Sequence, residues 1–512
     1  MIDKLSAASN RLRDALDHYL DVCLEMERAL EANPQIAFVD PADRMSCELD
    51  MLSSHVEIIG KAKAKINRAR NWSSALPINK MPIEIIMQIF QWVVHSEYFC
   101  ANSNRRSTII FSPKYPELLT HVCSRWRRIL ISSPQFWSHI DFNFWASDYQ
   151  RLCDRAERHL ARAGERPVHV HHVFSINRGI KVIPRPMNTF VLAGSRACAI
   201  EAEVLVDLEF APSQLYDSLL HACFHGCVPG KLKSLTLSLQ QTLPFGLASV
   251  EHVTDPTSNE ENIFSLVTSL RSNGLYIPWT SSVYNGLVEL VLMPAGSISI
   301  SESQLIAILA ASPGLQILEV DIPITQPEPL TDLHVSIPIH LNHLSDLKSG
   351  SSSLFQLLAP GARALNLTIL KSSTFPFKSN QISDFFAHSN VTTIGITEWE
   401  SYTQLFDVLE LVPRAQVAVM SACHRDVELG EVPPLRSSLY ALVMTQNKYL
   451  RLEDLQKLSK TLRLQQMRLL KNDMIFYNNK PVYNGHYNMV HNEEAFKSLQ
   501  SICPHVEIKS SI

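Results

Sequence analysis

Beyond residue 200 this chain repeats one unit, loosely, and no other feature restricts its fold as much. The unit is a helical stretch followed by Leu-x-x-Leu-x-Leu or a close relative. Its clearest copies are Leu232-Leu235-Leu237, Leu287-Leu290-Leu292 and Leu315-Leu318-Val320; weaker ones are Ala362-Leu365-Leu367, Val391-Ile394-Ile396 and Leu439-Leu442-Met444. Helical patterns precede them over 215–223, 263–270, 303–311, 354–359, 382–388 and 402–411. Several copies lie 28 or 29 residues apart, as from Leu287 to Leu315 and from Ala362 to Val391. One strand and one helix cannot hide their apolar sides alone, whereas stacked units share a continuous core. The competing reading is an ordinary α/β domain with apolar strands. Six runs in one orientation, each behind a helix, favour the stack.

The signature resembles that of leucine-rich-repeat proteins. The Asn or Cys usual three positions after the last Leu is missing at Gln240 and Ala295. The expectation is therefore an irregular, leucine-rich-repeat-like α/β solenoid over residues 165–512. Ahead of it a charged helix is expected over 146–164, and Val168-His169-Val170-His171-His172-Val173 alternates like a strand with one buried face. Past Leu450 the pattern predicts helices over 452–464 and 493–502, a polar aromatic loop at Phe476-Tyr477-Asn478-Asn479-Lys480-Pro481, and a last strand at Val506-Glu507-Ile508.

The N-terminal part is all-α by pattern. Leu5, Leu12, Tyr19 and Met26 recur every seven residues, with Leu16, Cys23 and Leu30 between them. Asn33-Pro34 and Asp40-Pro41 break this seam. A second follows: Met45, Leu52, Ile59 and Ile66, with Leu49 and Val56 between. Two short heptad runs predict a helical hairpin or coiled coil over residues 1–72, antiparallel within one chain or used for homodimerisation. The second run ends with Lys61, Lys63, Lys65, Arg68 and Arg70. A solvated face with cations near a helix C-terminus explains these better than a nuclear-import or nucleic-acid patch.

Between hairpin and repeats stands Met81-Pro82-Ile83-Glu84-Ile85-Ile86-Met87-Gln88-Ile89-Phe90. Proline suits a helix start, and Glu84 suits the positive end of the dipole. Ile83, Ile85, Ile86, Ile89, Phe90, Trp92, Val93 and Val94 then cover roughly 200° of the helix, where a helix packed on one side needs little more than about 100°. The excess calls for a partner. A second helix over 118–130 carries Val122-Cys123-Ser124-Arg125-Trp126-Arg127, and Ser133-Pro134 should end it before Phe136-Trp137. The loop expected over 96–115 includes Asn102-Ser103-Asn104-Arg105-Arg106-Ser107.

This order of parts, in residues 76–141, resembles the F-box, a three-helix module of fungal-type F-box proteins, with Met81 in place of the usual leucine. The resemblance implies an adaptor that docks on the Skp-type linker of a cullin ubiquitin ligase (an SCF complex). It assigns Pro82, Ile83, Glu84, Ile86, Ile89, Phe90, Val122, Cys123 and Trp126 to linker contact or its direct support. Trp126 and Trp137 fit core positions better than direct contact, and Cys123 fits a buried small apolar residue.

Composition adds exclusions. The net charge of −4 with pI near 6.6 lacks the basic excess of a nucleic-acid binder. Ten cysteines without a repeating spacing suit a reducing compartment. No apolar leader follows Met1-Ile2-Asp3-Lys4-Leu5 and no run of about 18 apolar residues occurs, so neither secretion nor a membrane span is expected, and the place of work is cytoplasmic or nuclear. His221, Cys223, His225 and Cys227 alternate on a helix, where four ligands do not converge. His169, His171 and His172 read as surface histidines. No phosphate loop, nucleophile elbow or paired-carboxylate motif is present. The expectation is a protein that is not an enzyme, with no cofactor and no metal, whose partners are the linker and an unidentified target protein bound on outward strand positions such as Ser234, Thr236, Glu289, Asn366 and Thr393. The alternative is a repeat scaffold for protein interaction without ligase coupling.

Overall fold

The computed structural model describes residues 2–32, 41–72, 77–103, 115–143, 149–176, 188–206, 213–241, 256–294, 298–325, 338–371, 375–377, 380–423, 427–430, 439–472, 474–477, 480–484, 489–490, 497 and 499–509. They form a helical region followed by a long parallel sheet, a mixed α/β protein. Two compact units divide the chain: residues 1–90 with 120–127, and residues 91–119 with 128–512.

The first unit is helical. Two long helices, α1 (Ile2–Ala32) and α2 (Pro41–Trp72), flank the proline-containing segment. The Tyr19 hydroxyl donates to Glu48 at 3.2 Å, linking them. The heptad positions are not closed by this pairing. Leu5, Leu12, Leu16, Leu49, Val56 and Ile66 keep 45–69% of their surface; among the described heptad side chains only Cys23, Met45 and Leu52 are half-buried.

The next long helix spans Ile83–Ser103. The Pro82 carbonyl accepts the Ile86 N–H at 3.2 Å, so proline stands just outside the first turn. The helix continues through 96–103, where a loop was expected, because Glu97, Tyr98, Phe99, Cys100 and Ala101 include no glycine or proline to stop it. The remainder of that segment, 104–114, lies outside the described residues. The helix expected over 118–130 is two helices, Glu117–Thr120 and Ser124–Ile131. Cys123 starts the second: its carbonyl accepts the Arg127 N–H at 3.0 Å, and its Sγ accepts the Trp126 N–H at 3.5 Å. Pro134–Trp137 follows as a 3-10 turn.

The second unit is built on a fourteen-stranded sheet. Its strands are β1 (His139–Asn143), β2 (Val168–Ile176), β3 (Ala197–Val206), β4 (Ser234–Gln241), β5 (Ser269–Asn273) and β6 (Glu289–Met293), then Ile317–Val320, Asp346–Ser349, Leu365–Ile369, Val391–Thr397, Val417–Ser421, Ala441–Thr445, Gln466–Leu470 and His505–Lys509. Every neighbouring pair is parallel and the order follows the chain. The two outermost strands do not pair, so the sheet is open.

Strand alternation sends every second side chain to one face, and the parallel register lines these up across the whole sheet. One such row reads Ile140, Val170, Ile200, Leu235, Leu270, Leu290, Leu318, Leu347, Leu367, Ile394, Ala418, Leu442, Met467 and Val506. All but Val506 are buried. The central residue of five of the six runs, Leu235, Leu290, Leu318, Ile394 and Leu442, sits in this row; the run Ala362-Leu365-Leu367 contributes its last, Leu367. Connecting helices supply further core: Leu305, Ile308 and Leu309 from Glu302–Ala311, and Leu405, Phe406 and Leu409 from Tyr402–Leu411.

The turn after the later strands recurs. Glu398, Ala422, Gln446 and Lys471 have left-handed backbones, with φ between 51° and 60°. The next residue in each case, Trp399, Cys423, Asn447 or Asn472, is buried. The Asn447 Oδ1 accepts from Trp399 Nε1 at 3.0 Å and from the Cys423 N–H at 3.1 Å, and its Nδ2 donates to the Met420 carbonyl at 3.3 Å. The Asn472 Oδ1 accepts the Asn447 N–H at 3.0 Å, and its Nδ2 donates to the Met444 carbonyl at 2.9 Å. These residues stand three positions after Ile396, Met420, Met444 and Leu469. The Asn or Cys missing at Gln240 and Ala295 is therefore present in the last repeats, where it satisfies strand-end backbone groups that burial cuts off from water.

Other elements depart from expectation. The sheet starts at His139, ahead of residue 165. The stretch 263–270 is not one helix: Ser258–Phe264 ends, and Leu270 lies in β5. Ala197–Val206, Asp346–Ser349, Val417–Ser421 and Gln466–Leu470 are strands without a full leucine signature. Met474–Tyr477 pairs antiparallel with Lys480–Asn484 where a loop was expected; Ile475, Phe476, Tyr477, Val482 and Tyr483 are strand-forming residues. Half of the helix expected over 493–502 falls outside the described residues.

Candidate functional site

The predicted docking residues divide into a covered set and an open set. Ile86 and Phe90 are each 1% exposed. Phe90 meets Trp126 edge to face, ring centroids 4.7 Å apart, and Trp126 and Cys123 are half-buried. Arg125 ties this layer to the entry of the helix, its Nη2 donating to the Met81 carbonyl at 2.9 Å. Ile83, Ile89 and Val122 form the open set, at 50, 39 and 52% exposure, with Pro82 and Glu84 also exposed; Ile85, outside the predicted set, is likewise open at 42%. Trp92, further along the same helix, is exposed too. Trp137, in the other unit, is fully buried and donates its Nε1–H to the Leu130 carbonyl at 2.8 Å. Side chains that cover only half their apolar surface lose little by being exposed one at a time, but Ile85 and Ile89, one turn apart on the helix, make a surface that association would bury.

On the sheet, Ser234, Thr236, Glu289, Ile317, Glu319, Asn366, Thr368, Thr393 and Thr397 lie opposite the buried row, part-exposed or exposed, while Val291 is buried. This face is more charged than those residues alone imply. Cross-strand ion pairs join Lys348 to Glu319 at 3.0 Å, Lys371 to Asp321 at 3.0 Å, Arg468 to Glu507 at 3.2 Å, and Arg271 to Glu289. Each of these pairs brings opposite charges together.

Near the start of the sheet lies a buried charge cluster that sequence reading did not find. Parallel register sets Asp141 of β1 beside His171 of β2, and His171 beside Glu201 of β3. Asp141 Oδ1 is 3.1 Å from His139 Nε2 and 3.2 Å from His171 Nδ1. Its Oδ2 accepts from Arg155 Nη1 at 3.0 Å. Arg155, on the helix Tyr149–Ala163, also grips both Glu117 oxygens at 2.7 and 3.1 Å, and His159 Nε2 lies 2.8 Å from Glu117 Oε1. The other His171 nitrogen, Nε2, lies 3.6 Å from Glu203 Oε2.

Burial alone would raise the acid pKa values and lower that of His171, but partners win. Against that penalty, hydrogen bonds from His159 and Arg155 bring Glu117 down to about 2. Against the same penalty, His139 and His171 hold Asp141 well below the usual carboxylate range. The hydrogen bond to Asp141, the nearby Glu203 carboxylate and the field of Glu201 hold His171 well above its usual value despite burial. His172 is the opposite case. It points into the core row between Phe142 and Phe174, with ring centroids at 5.5 and 5.9 Å, and burial first, then the charge of His171, lowers it to about 3. The expectation of three surface histidines thus holds for His169 and fails for His171 and His172. A parallel partner strand some thirty residues away supplied the carboxylate that no local pattern displayed.

The alternating His221, Cys223, His225 and Cys227 do not converge: His221 Nδ1 pairs with Glu260 at 2.5 Å, and burial pushes the Cys227 thiol up to about 12. The basic residues ending α2 are exposed, and Lys61 pairs with Glu57 at 2.6 Å. Among the described residues no helix is long and apolar enough to cross a membrane. No protein-family model matches the chain, and no curated protein matches it.

Proposed function

We propose that this chain is the substrate-recognition adaptor of an F-box-type cullin ubiquitin ligase. In this reading the helix that begins at Ile83 docks a Skp-type linker, and the parallel sheet, an irregular leucine-rich-repeat-like solenoid, holds the target protein. The observation that carries the reading is the exposure of Ile85 and Ile89, one turn apart on a helix whose Ile86 and Phe90 are already covered. A helix that has already spent part of its apolar girth on its own core retains a second apolar side, and water is a poor permanent cover for it. The repeat reading is supported by parallel strands in chain order and by the recurring left-handed turn with its buried Asn447 and Asn472. The adaptor contributes no bond-breaking chemistry of its own; it brings a target within reach of the ligase.

The test is co-purification of the full chain with a Skp-type linker. Ile85→Asp and Ile89→Asp change exposed side chains, so each should abolish capture while leaving the thermal transition in place. Ile86→Asp is a poor probe, since it buries a charge and unfolds the layer. A linker retained equally by wild type, Ile85→Asp and Ile89→Asp, or captured by none, overturns the proposal.

A further inference from the structure

We propose that His139, Asp141 and His171 form a three-donor site for zinc at the first two strands of the sheet, with a fourth position toward solvent. Three features of the cluster carry this. The donor atoms, His139 Nε2, Asp141 Oδ1 and His171 Nδ1, lie within 4.8 Å of one another. Both imidazole nitrogens stand at 3.1 and 3.2 Å from the same carboxylate oxygen, close to the edge of about 3.3 Å that a tetrahedron with metal–ligand bonds of about 2.0–2.1 Å requires. One shift of the two rings toward each other completes the triangle.

The surrounding shell is arranged as metal sites need. The second nitrogen of His171 lies buried 3.6 Å from Glu203, just beyond hydrogen-bond distance, and a small movement of the ring would set the carboxylate–histidine relation that orients a ligating imidazole. Arg155 holds the second oxygen of Asp141 and is itself held by Glu117, so the carboxylate is fixed in the plane that directs Oδ1 at the histidines. Asp141, Glu201 and Glu203 all act on His171, and Arg155, which holds Asp141, is shared with Glu117. Two nitrogens with one oxygen favour zinc over calcium or magnesium, which take oxygen ligands. The His139 and His171 side chains are 20% and 14% exposed, so an ion can enter and a water can take the fourth place.

The proposal is independent of ligase function. The full chain, stripped with a chelator, is titrated with zinc against a competing chromophoric chelator at neutral pH, and with cobalt(II) for its spectrum. Wild type should take up one zinc per chain and give visible cobalt bands without sulfur charge transfer. His139→Gln and His171→Gln should each lose that uptake, and Glu203→Gln should weaken it about 10- to 100-fold. His225→Gln, at an exposed histidine outside the cluster, should leave it unchanged. Absence of zinc uptake by wild type overturns the proposal. So does uptake that survives both histidine variants, or a cobalt spectrum dominated by thiolate bands. The wild-type spectrum decides the matter even if a variant fails to fold.

Discussion

At the scale of single residues, two buried polar side chains, Asn447 and His172, give the sharpest predictions. Asn447 bonds Trp399, the Cys423 N–H and the Met420 carbonyl, and receives a neighbour in Asn472. Replacing it by alanine leaves those partners buried and unmet, at about 1–3 kcal/mol per group. Asn447→Ala should therefore lower stability by at least about 2 kcal/mol, read from the urea midpoint of the sheet transition. His172 gives a pH prediction. Its folded pKa of about 3 lies below the unfolded value near 6.5, so between them the unfolded chain binds the extra proton. The stabilisation is complete above the unfolded value and is lost as pH falls, at up to about 1.4 kcal/mol per pH unit. Glu117, lowered to about 2 from 4.5, adds loss of the same sign further into acid. His172→Phe should flatten the slope of stability between those limits. An unchanged slope would show that His172 does not control it.

Among elements, the helix from Ile83 separates covered from open residues turn by turn. Ile86→Ala should cost about 2–5 kcal/mol, whereas Ile85→Ala or Ile89→Ala should cost much less in thermal melts of the same chain. The wide apolar arc of this helix was legible in the sequence, because helical periodicity needs no partner to read. Its division into covered and open sides was not, since Trp126 reaches Phe90 only after Cys123 restarts the chain as a new helix. The strands were legible wherever a full leucine run occurs. They were missed at Asp346–Ser349 and Gln466–Leu470, where neighbouring strands supply the pattern that the segment lacks. The Asn447 and Asn472 signal was readable by the same offset that failed at Gln240 and Ala295; it belongs to the last repeats and not the first. The Asp141–His171 contact was out of reach, because register between β1 and β2 is a property of two segments and not of either.

For the whole molecule, the sheet makes cooperativity local. Strands of the sheet pair in chain order, so on the proposed repeat reading stability is close to a sum of units and their interfaces. Calorimetry should give a measured unfolding enthalpy larger than the van't Hoff value; equality would mean that all fourteen strands melt as one. The central claim concerns the helical unit, and hydrogen exchange tests it most directly. With a Skp-type linker added, amides over residues 83–90 and 120–127 should slow, while those of the strands from Ile317–Val320 onward stay as they were. Unchanged exchange over 83–90 and 120–127 at saturating linker, or slowing confined to the sheet, would contradict the account.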